Sequence, residues 1–217
     1  MLKKKKKTPK TMIAIPCMDM IPTDFLRSWI QLDKMDSVVS ICQATLIYDA
    51  RQMLADRAIQ NGYERVVWFD SDMILPPDTM QRLMADADEG RDIVSGLYFT
   101  RVDPIKPVIF SQLGEREKEP GKWVSVAVPM MDYPKDSIFE VAAIGFGGCI
   151  TSVKVLKHLK EEYGLPFQPM GFGEDLAFCA RATAKGYKIW VDSRIKMGHL
   201  RKEVIDEEVW NAVHEGS

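Results

Sequence analysis

Four consecutive large apolar residues, Val66-Val67-Trp68-Phe69, run straight into Asp70-Ser71-Asp72, and this junction restricts the fold more than any other feature of the chain. A strand that is apolar at every position, not only at alternate ones, is covered on both faces, so it belongs in the interior of an α/β sheet. The flanking sequence agrees. Met12–Pro16 and Ser37–Cys42 are predicted strands and Thr23–Leu32 a predicted helix. Thr45–Gln60 carries Leu46, Ala50, Leu54 and Ala58 at four-residue spacing and stops at Asn61-Gly62, as expected of a helix closed by a left-handed cap. Pro76-Pro77-Asp78 is expected to open a helix with proline in its first turn, reaching about Glu89-Gly90 before a strand at Ile93–Phe99.

The second half changes character. Val108–Gln112, Trp123–Val128 and Phe139–Ala143 are predicted strands with no helices between them, separated by the polar stretch Gly114–Lys122, which points to an antiparallel part of a mixed sheet. Helices are predicted at Val153–Tyr163 and Glu174–Lys185, then a strand at Lys188–Val191 and a last helix from Glu203 to about His214. The expectation is a single α/β domain over 11–217, with a mixed, mainly parallel central sheet flanked by helices and a basic, disordered tail over 1–10.

With 217 residues, 46% of them apolar, the chain can bury a large core. Lys plus Arg number 29 against 31 Asp plus Glu, and the net charge of -2 supplies no general attraction for nucleic acid or an anionic membrane. The lysine run Lys3–Lys7 is expected to be solvated. No stretch approaches the ~20 apolar residues of a membrane span, and no apolar core of a signal peptide follows the lysines. Cys17, Cys42, Cys149 and Cys179 form no CxxC pair, so buried reduced thiols in a cytoplasmic protein are expected.

Asp70 and Asp72 end a buried strand, where two carboxylates repel each other unless a cation neutralises them, and strand ends are where ligands gather in open α/β sheets. Aspartates also serve turns, so the pair alone does not decide between site and turn. Gly171-Phe172-Gly173-Glu174-Asp175 opens a helix, where acids commonly cap and complement the dipole. Gly198-His199 closes a β segment, unlike His158 and His214, which lie in charged helical surfaces.

Taken in order, VVWFDSDMILPP, GEDLAFCARATAKGYKIWVDS and GH resemble the GT-A glycosyltransferases, particularly the family-two-like bacterial and phage enzymes, across roughly Thr11 to Leu200. The resemblance implies a nucleotide-sugar half over about 11–100 and an acceptor half over about 101–217. It implies a UDP- or GDP-sugar donor, an acceptor hydroxyl left unidentified, and Mn²⁺ or Mg²⁺, a mixed oxygen and imidazole shell suiting Mn²⁺ better. Asp70, Asp72 and His199 would form the metal site, Asp72 as direct ligand and Asp70 toward the ribose or a metal-bound water. Pro16 and Arg51 would join the aspartates on the donor side, and Gly147 and Gly148, within Gly145-Phe146-Gly147-Gly148, would lie toward the acceptor. Asp175 would be the general base of an inverting transfer, with Glu174 its alternate. Gln52 follows Arg51 where such enzymes more often have asparagine. Gly164–Gly173 could form a lid or an ordinary connection, and Trp123, Tyr133 and Trp190 are candidates for stacking on a sugar.

Two other readings compete. FDSDMI also resembles the DxDx(T/V) nucleophile motif of haloacid-dehalogenase-type phosphatases, but that nucleophile sits on a first strand, and here two strands and two helices precede Asp70. A non-catalytic sugar-nucleotide or metal-binding module is the other.

Overall fold

The computed structural model describes residues 9–202; the Lys3–Lys7 run and the helix expected from Glu203 lie outside the described residues. In chain order the strands are β1 (Thr11–Cys17), β2 (Val38–Gln43), β3 (Arg65–Phe69), β4 (Met73–Ile74), β5 (Ile93–Leu97), β6 (Ile109–Glu119), β7 (Lys122–Pro129), β8 (Ile138–Val141), β9 (Ala143–Ile144), β10 (Gly148–Ser152), β11 (Ile189–Lys196) and β12 (Gly198–His199). The helices are α1 (Thr23–Gln31), α2 (Ile47–Gln60), α3 (Thr79–Asp88), α4 (Val153–Tyr163) and α5 (Glu174–Ala184).

Side chains alternate across a strand, and β3 uses both faces. Val66 and Trp68 join a core with Leu54 and Ala58 of α2, Leu156 and Leu159 of α4 and Phe178 of α5. Val67 and Phe69 join Ile13, Ile15 and Val94 against Phe25 of α1 and Met80 and Leu83 of α3. These two cores are the two sides of one sheet. Its order is β2-β1-β3-β10-β5-β11-β8. β1 pairs in parallel with β2 and β3, and β5 with β11, while β10 and β8 run antiparallel to their neighbours. The sheet is mixed and mainly parallel, with helices on both sides.

Three local expectations change. Gly148–Ser152 is a central strand, inserted antiparallel between β3 and β5, where the sequence shows only a glycine-rich segment followed by apolar residues. Gly114–Lys122 does not separate strands: β6 and β7 pair through it as a long hairpin turning at Gly121, whose φ is +75°. Pairing to a neighbour supplies the backbone hydrogen bonds that this polar stretch needs, so no buried face is required and its side chains remain largely exposed. Finally, Pro76 and Pro77 precede α3 in a turn, where the backbone N–H and Oγ1 of Thr79 both donate to Pro76 O.

The cap expected at Asn61-Gly62 is present, with Gly62 at φ +65° and Asn61 N–H donating to Arg57 O. Among the described residues no helix is long and apolar enough to cross a membrane.

Candidate functional site

The DSD segment is held by backbone pairing before any side chain acts. Asp70 N–H donates to Gly147 O at 3.1 Å, one step past the pairing of Phe69 with Gly148. Met73 N–H closes the turn on Asp70 O, and Asp72 O accepts from Leu200 N–H at 2.8 Å. β12 lies antiparallel to β4 with His199 opposite Met73, which brings a residue far along the chain beside the turn. Pro16 stands two residues past the Ala14–Trp68 pairing of β1 with β3, level with Asp70.

Arg51 joins the two acidic motifs. It projects from α2 and is only 2% exposed. Its Nη2 lies 2.9 and 3.2 Å from the two carboxylate oxygens of Asp70, its Nε 3.2 Å from Glu174 Oε1, and its Nη1 3.4 Å from Phe146 O. The guanidinium also faces the Phe146 ring at 5.4 Å. Burial of the arginine opposes its charge, but Asp70, Glu174 and Asp175 outweigh this and push its pKa up. Burial in turn raises the Asp70 carboxyl, with Arg51 pulling the other way. An always-charged planar donor suits this position, because its fork can hold two carboxylates at fixed angles.

Asp175 follows Glu174 in the first turn of α5, and its Oδ1 accepts from Leu176 N–H at 2.7 Å. Burial, and then the adjacent Glu174, push its pKa up to about 6. Such a carboxyl is mostly ionised at neutral pH yet basic enough to take a proton.

Asp72 and His199 form the other half. His199 Nδ1 is 2.8 Å from Phe99 O, and a carbonyl only accepts, so Nδ1 carries a proton. Nε2 faces Asp72 Oδ2 at 3.5 Å, and the same oxygen is paired with Nη1 of Arg101. Burial raises the Asp72 carboxyl, but the hydrogen bond to His199 and the charges of His199 and Arg101 hold it below the ordinary carboxylate range; His199 is raised reciprocally, first by Asp72. In the neutral ring Nε2 turns a lone pair toward a carboxylate oxygen, an arrangement that asks for a proton or a cation. Two ligands of one ion at ~2.0–2.3 Å stand about 3.0–3.6 Å apart, and this pair fits that spacing. Phe99 O orients the ring as outer-sphere carbonyls do for metal-bound histidines. Among the described residues no cluster of three His, Cys, Asp or Glu side chains is arranged to hold a metal ion.

The structure therefore brings Arg51, Asp70 and Glu174 into direct contact, and Asp72 and His199 likewise. Gly147 and Gly148 are buried beside them, and both have an internal reason to be glycine. A Cβ on Gly147 would stand 3.0 Å from Tyr98 Cζ and 3.1 Å from Met73 Sδ, and one on Gly148 2.3 Å from Met197. Phe167 of the Gly164–Gly173 connection is fully buried against Trp68, Phe146 and Phe178, which anchors that segment. Trp123 is 62% exposed on β7, while Trp190 lies between Arg91 and Lys188.

Two residues at the site had no sequence signal. Arg101 lies in the loop after β5, where one arginine looks like any exposed charge. Tyr98 is buried and its hydroxyl accepts from Gly147 N–H at 3.1 Å, a contact set by the β10 insertion.

No protein-family description and no curated protein sequence matches this chain. Solved structures do. A197 from STIV superposes with a TM-score of 0.63 at 17% identity, over 89% of this chain and 86% of that one. GalNAc-T7, solved with UDP, GalNAc and Mn²⁺, superposes with a TM-score of 0.62 at 13% identity, over 92% of this chain. The chain spans 45% of the length of GalNAc-T7. At these identities the likeness establishes the fold, which is of the GT-A type.

Proposed function

We propose that this chain is a glycosyltransferase that uses a divalent cation to move a sugar from a UDP- or GDP-sugar to an acceptor hydroxyl. The observation that carries the reading is the double constellation at the end of β3. Arg51 ties Asp70 to Glu174, Asp72 meets His199, and Asp175, next to Glu174, has its pKa pushed up to about 6. The fold shared with GalNAc-T7, which was solved with UDP, GalNAc and Mn²⁺, supports the choice of ligand.

Asp72 and His199 would hold the cation, and the donor's diphosphate would complete its shell. When bound, such an ion stabilises the negative charge that builds on the departing diphosphate. Asp70, its carboxylate oriented by Arg51, would face the ribose or a water on the ion. Arg101 adds a positive charge on the same side, and Pro16 and the β1 end border the donor. Asp175 would accept the proton of the acceptor hydroxyl as its oxygen bonds the anomeric carbon and the bond to the diphosphate breaks, an in-line displacement that inverts configuration. Glu174, held by Arg51, raises the basicity of Asp175 through its charge and would serve as positioning group.

The test is a panel of UDP- and GDP-sugars with and without Mn²⁺, read by nucleotide release and by calorimetric binding of UDP and GDP. Wild type should release nucleotide slowly from one donor in a Mn²⁺-dependent manner. Asp72→Ala and His199→Ala should weaken Mn²⁺-dependent nucleotide binding with the fold intact. Asp175→Asn should keep binding and lose about 10²–10⁴-fold in rate. If neither nucleotide binds better with Mn²⁺ and no donor is consumed, the proposal is wrong; binding without turnover in wild type would favour the binding module.

A further inference from the structure

Each aspartate of the Asp70-Ser71-Asp72 turn has its own arginine, and the two arginines are held very differently. Arg51 is 2% exposed and reaches Asp70, Glu174 and Phe146 O at once, so withdrawing it would strand charges that have lost their water. Arg101 pairs through Nη1 with Asp72 Oδ2, and its side chain is 54% exposed. An ion pair this open contributes little and is readily exchanged. The backbone beneath it is fixed: Thr100 N–H donates to Lys106 O at 2.8 Å, Phe99 bridges to Pro107, and Asp103 pairs with Arg201. Arg101 can therefore leave Asp72 by turning about its own side-chain bonds, with the loop in place. The oxygen it occupies is also the one that faces His199 Nε2 at 3.5 Å, a spacing that suits two ligands of one ion. A guanidinium donating to that oxygen and a divalent ion bound by it would stand within about 5 Å of each other. Two cations that close repel, and solvent and salt screen the repulsion only in part.

We propose that Arg101 couples ion and nucleotide. Its guanidinium competes with a divalent ion for Asp72 and, once displaced, pairs with the diphosphate of a nucleoside diphosphate, so that each ligand binds more tightly in the presence of the other. The inference rests on the cation site proposed above and adds an interdependence to it. An ion arriving alone must break the Arg101–Asp72 pair and leave the arginine beside it without an anion. An ion arriving with a diphosphate breaks the same pair but gives the guanidinium a more highly charged partner, whose oxygens match its planar fork. By linkage, the nucleotide strengthens ion binding by the same factor as the ion strengthens nucleotide binding. Arg51 cannot serve in this way, because its exchange would unpair Asp70 and Glu174 together. The difference in burial between the two arginines thus makes Asp70 the permanently neutralised member of the turn and Asp72 the one that can change its cation.

The experiment measures binding to the full chain, without turnover. Mn²⁺ alone is titrated by the loss of the free-ion electron paramagnetic resonance signal, and UDP and GDP are titrated by calorimetry at saturating Mn²⁺. Arg101→Gln, which keeps length and polarity but not charge, should bind Mn²⁺ alone about tenfold more tightly than wild type and the preferred nucleotide about tenfold more weakly. The two shifts have opposite signs, which a merely structural role would not produce, since damage to the site weakens both. Arg101→Lys should stay close to wild type for Mn²⁺ alone, because the ammonium still competes. Lys188→Gln removes an equal charge from a 64% exposed side chain at the start of β11, and should change neither affinity. Asp72→Ala locates the ion and should weaken Mn²⁺ binding. If wild type binds no Mn²⁺, or Asp72→Ala binds it equally well, the cation site itself is wrong and the inference falls with it. If Mn²⁺ binds through Asp72 but Arg101→Gln binds it no better than wild type, or binds nucleotide no more weakly, the coupling is overturned and the cation site stands.

Discussion

Replacing Arg51 with methionine removes a buried cation while keeping most of the side-chain volume. It leaves the carboxylates of Asp70 and Glu174, 27% and 14% exposed in their side chains, without their shared partner. Removing one member of a buried ion pair costs about 3–5 kcal/mol, because the stranded charge has lost water and gained nothing. Both acids keep some access to solvent, which places the expectation at the lower end, about 3 kcal/mol. For a chain of this length that corresponds to a fall in Tm of roughly 6–12 °C. The loss should depend on pH in a definite direction. Arg51 lowers the carboxyls of Asp70 and Asp175, so without it their folded pKa values rise further above the unfolded value. A raised carboxyl contributes stability below its unfolded pKa and loses it as pH rises through the folded one. Arg51→Met should therefore be nearer to wild type at pH 5 than at pH 8. Urea unfolding at both pH values measures this, with Arg51→Lys expected between the two, since an ammonium keeps the charge but not the fork. A loss under ~1 kcal/mol, or one equal at the two pH values, would show that the carboxylates do not rely on Arg51.

The turnover of the proposed transferase should rise with pH through about 6, where Asp175 loses its proton, and Arg51→Lys should move that rise; a rate that stays flat from pH 5 to 7.5 excludes Asp175 as base. Gly145→Ala puts a Cβ 2.1 Å from the Tyr98 hydroxyl and 2.6 Å from Val108 Cγ1, and should destabilise by about 1–3 kcal/mol, partly relieved by adding Tyr98→Phe; unchanged melting would mean that the packing around Tyr98 yields freely. Asp86, 3% exposed, is raised to about 6 by burial and by Asp192, and one of its carboxylate oxygens has no hydrogen-bond partner. Wild type should therefore lose stability as pH rises from about 4 through 6, and Asp86→Asn should flatten that slope in thermal melts; an unaltered slope in the variant assigns it to another group.

The elements that local pattern specifies are the ones the sequence disclosed. Val66 to Phe69 is apolar on both faces, and any fold must cover it twice. Leu54 and Ala58 share one side of α2, and Asn61-Gly62 stops that helix, whatever lies beyond. The DSD turn followed by the glutamate-aspartate pair and a late histidine was likewise legible, because carboxylates at the end of a buried strand are conspicuous in one dimension. Relations among distant segments were not. Gly148–Ser152 has too short an apolar run to reveal that it enters the middle of the sheet against the direction of its neighbours, and that position is settled by the edges β3 and β5 present to it. The Gly114–Lys122 part of the β6–β7 hairpin is polar because its bonds are satisfied by pairing rather than burial, so hydropathy is blind to that pairing. Arg51 stands in a helix where an arginine is ordinarily solvated. Only the approach of α5 to the end of β3 encloses it between Asp70 and Glu174, since a charge is buried where its counter-charges converge, and that convergence is a property of the tertiary structure.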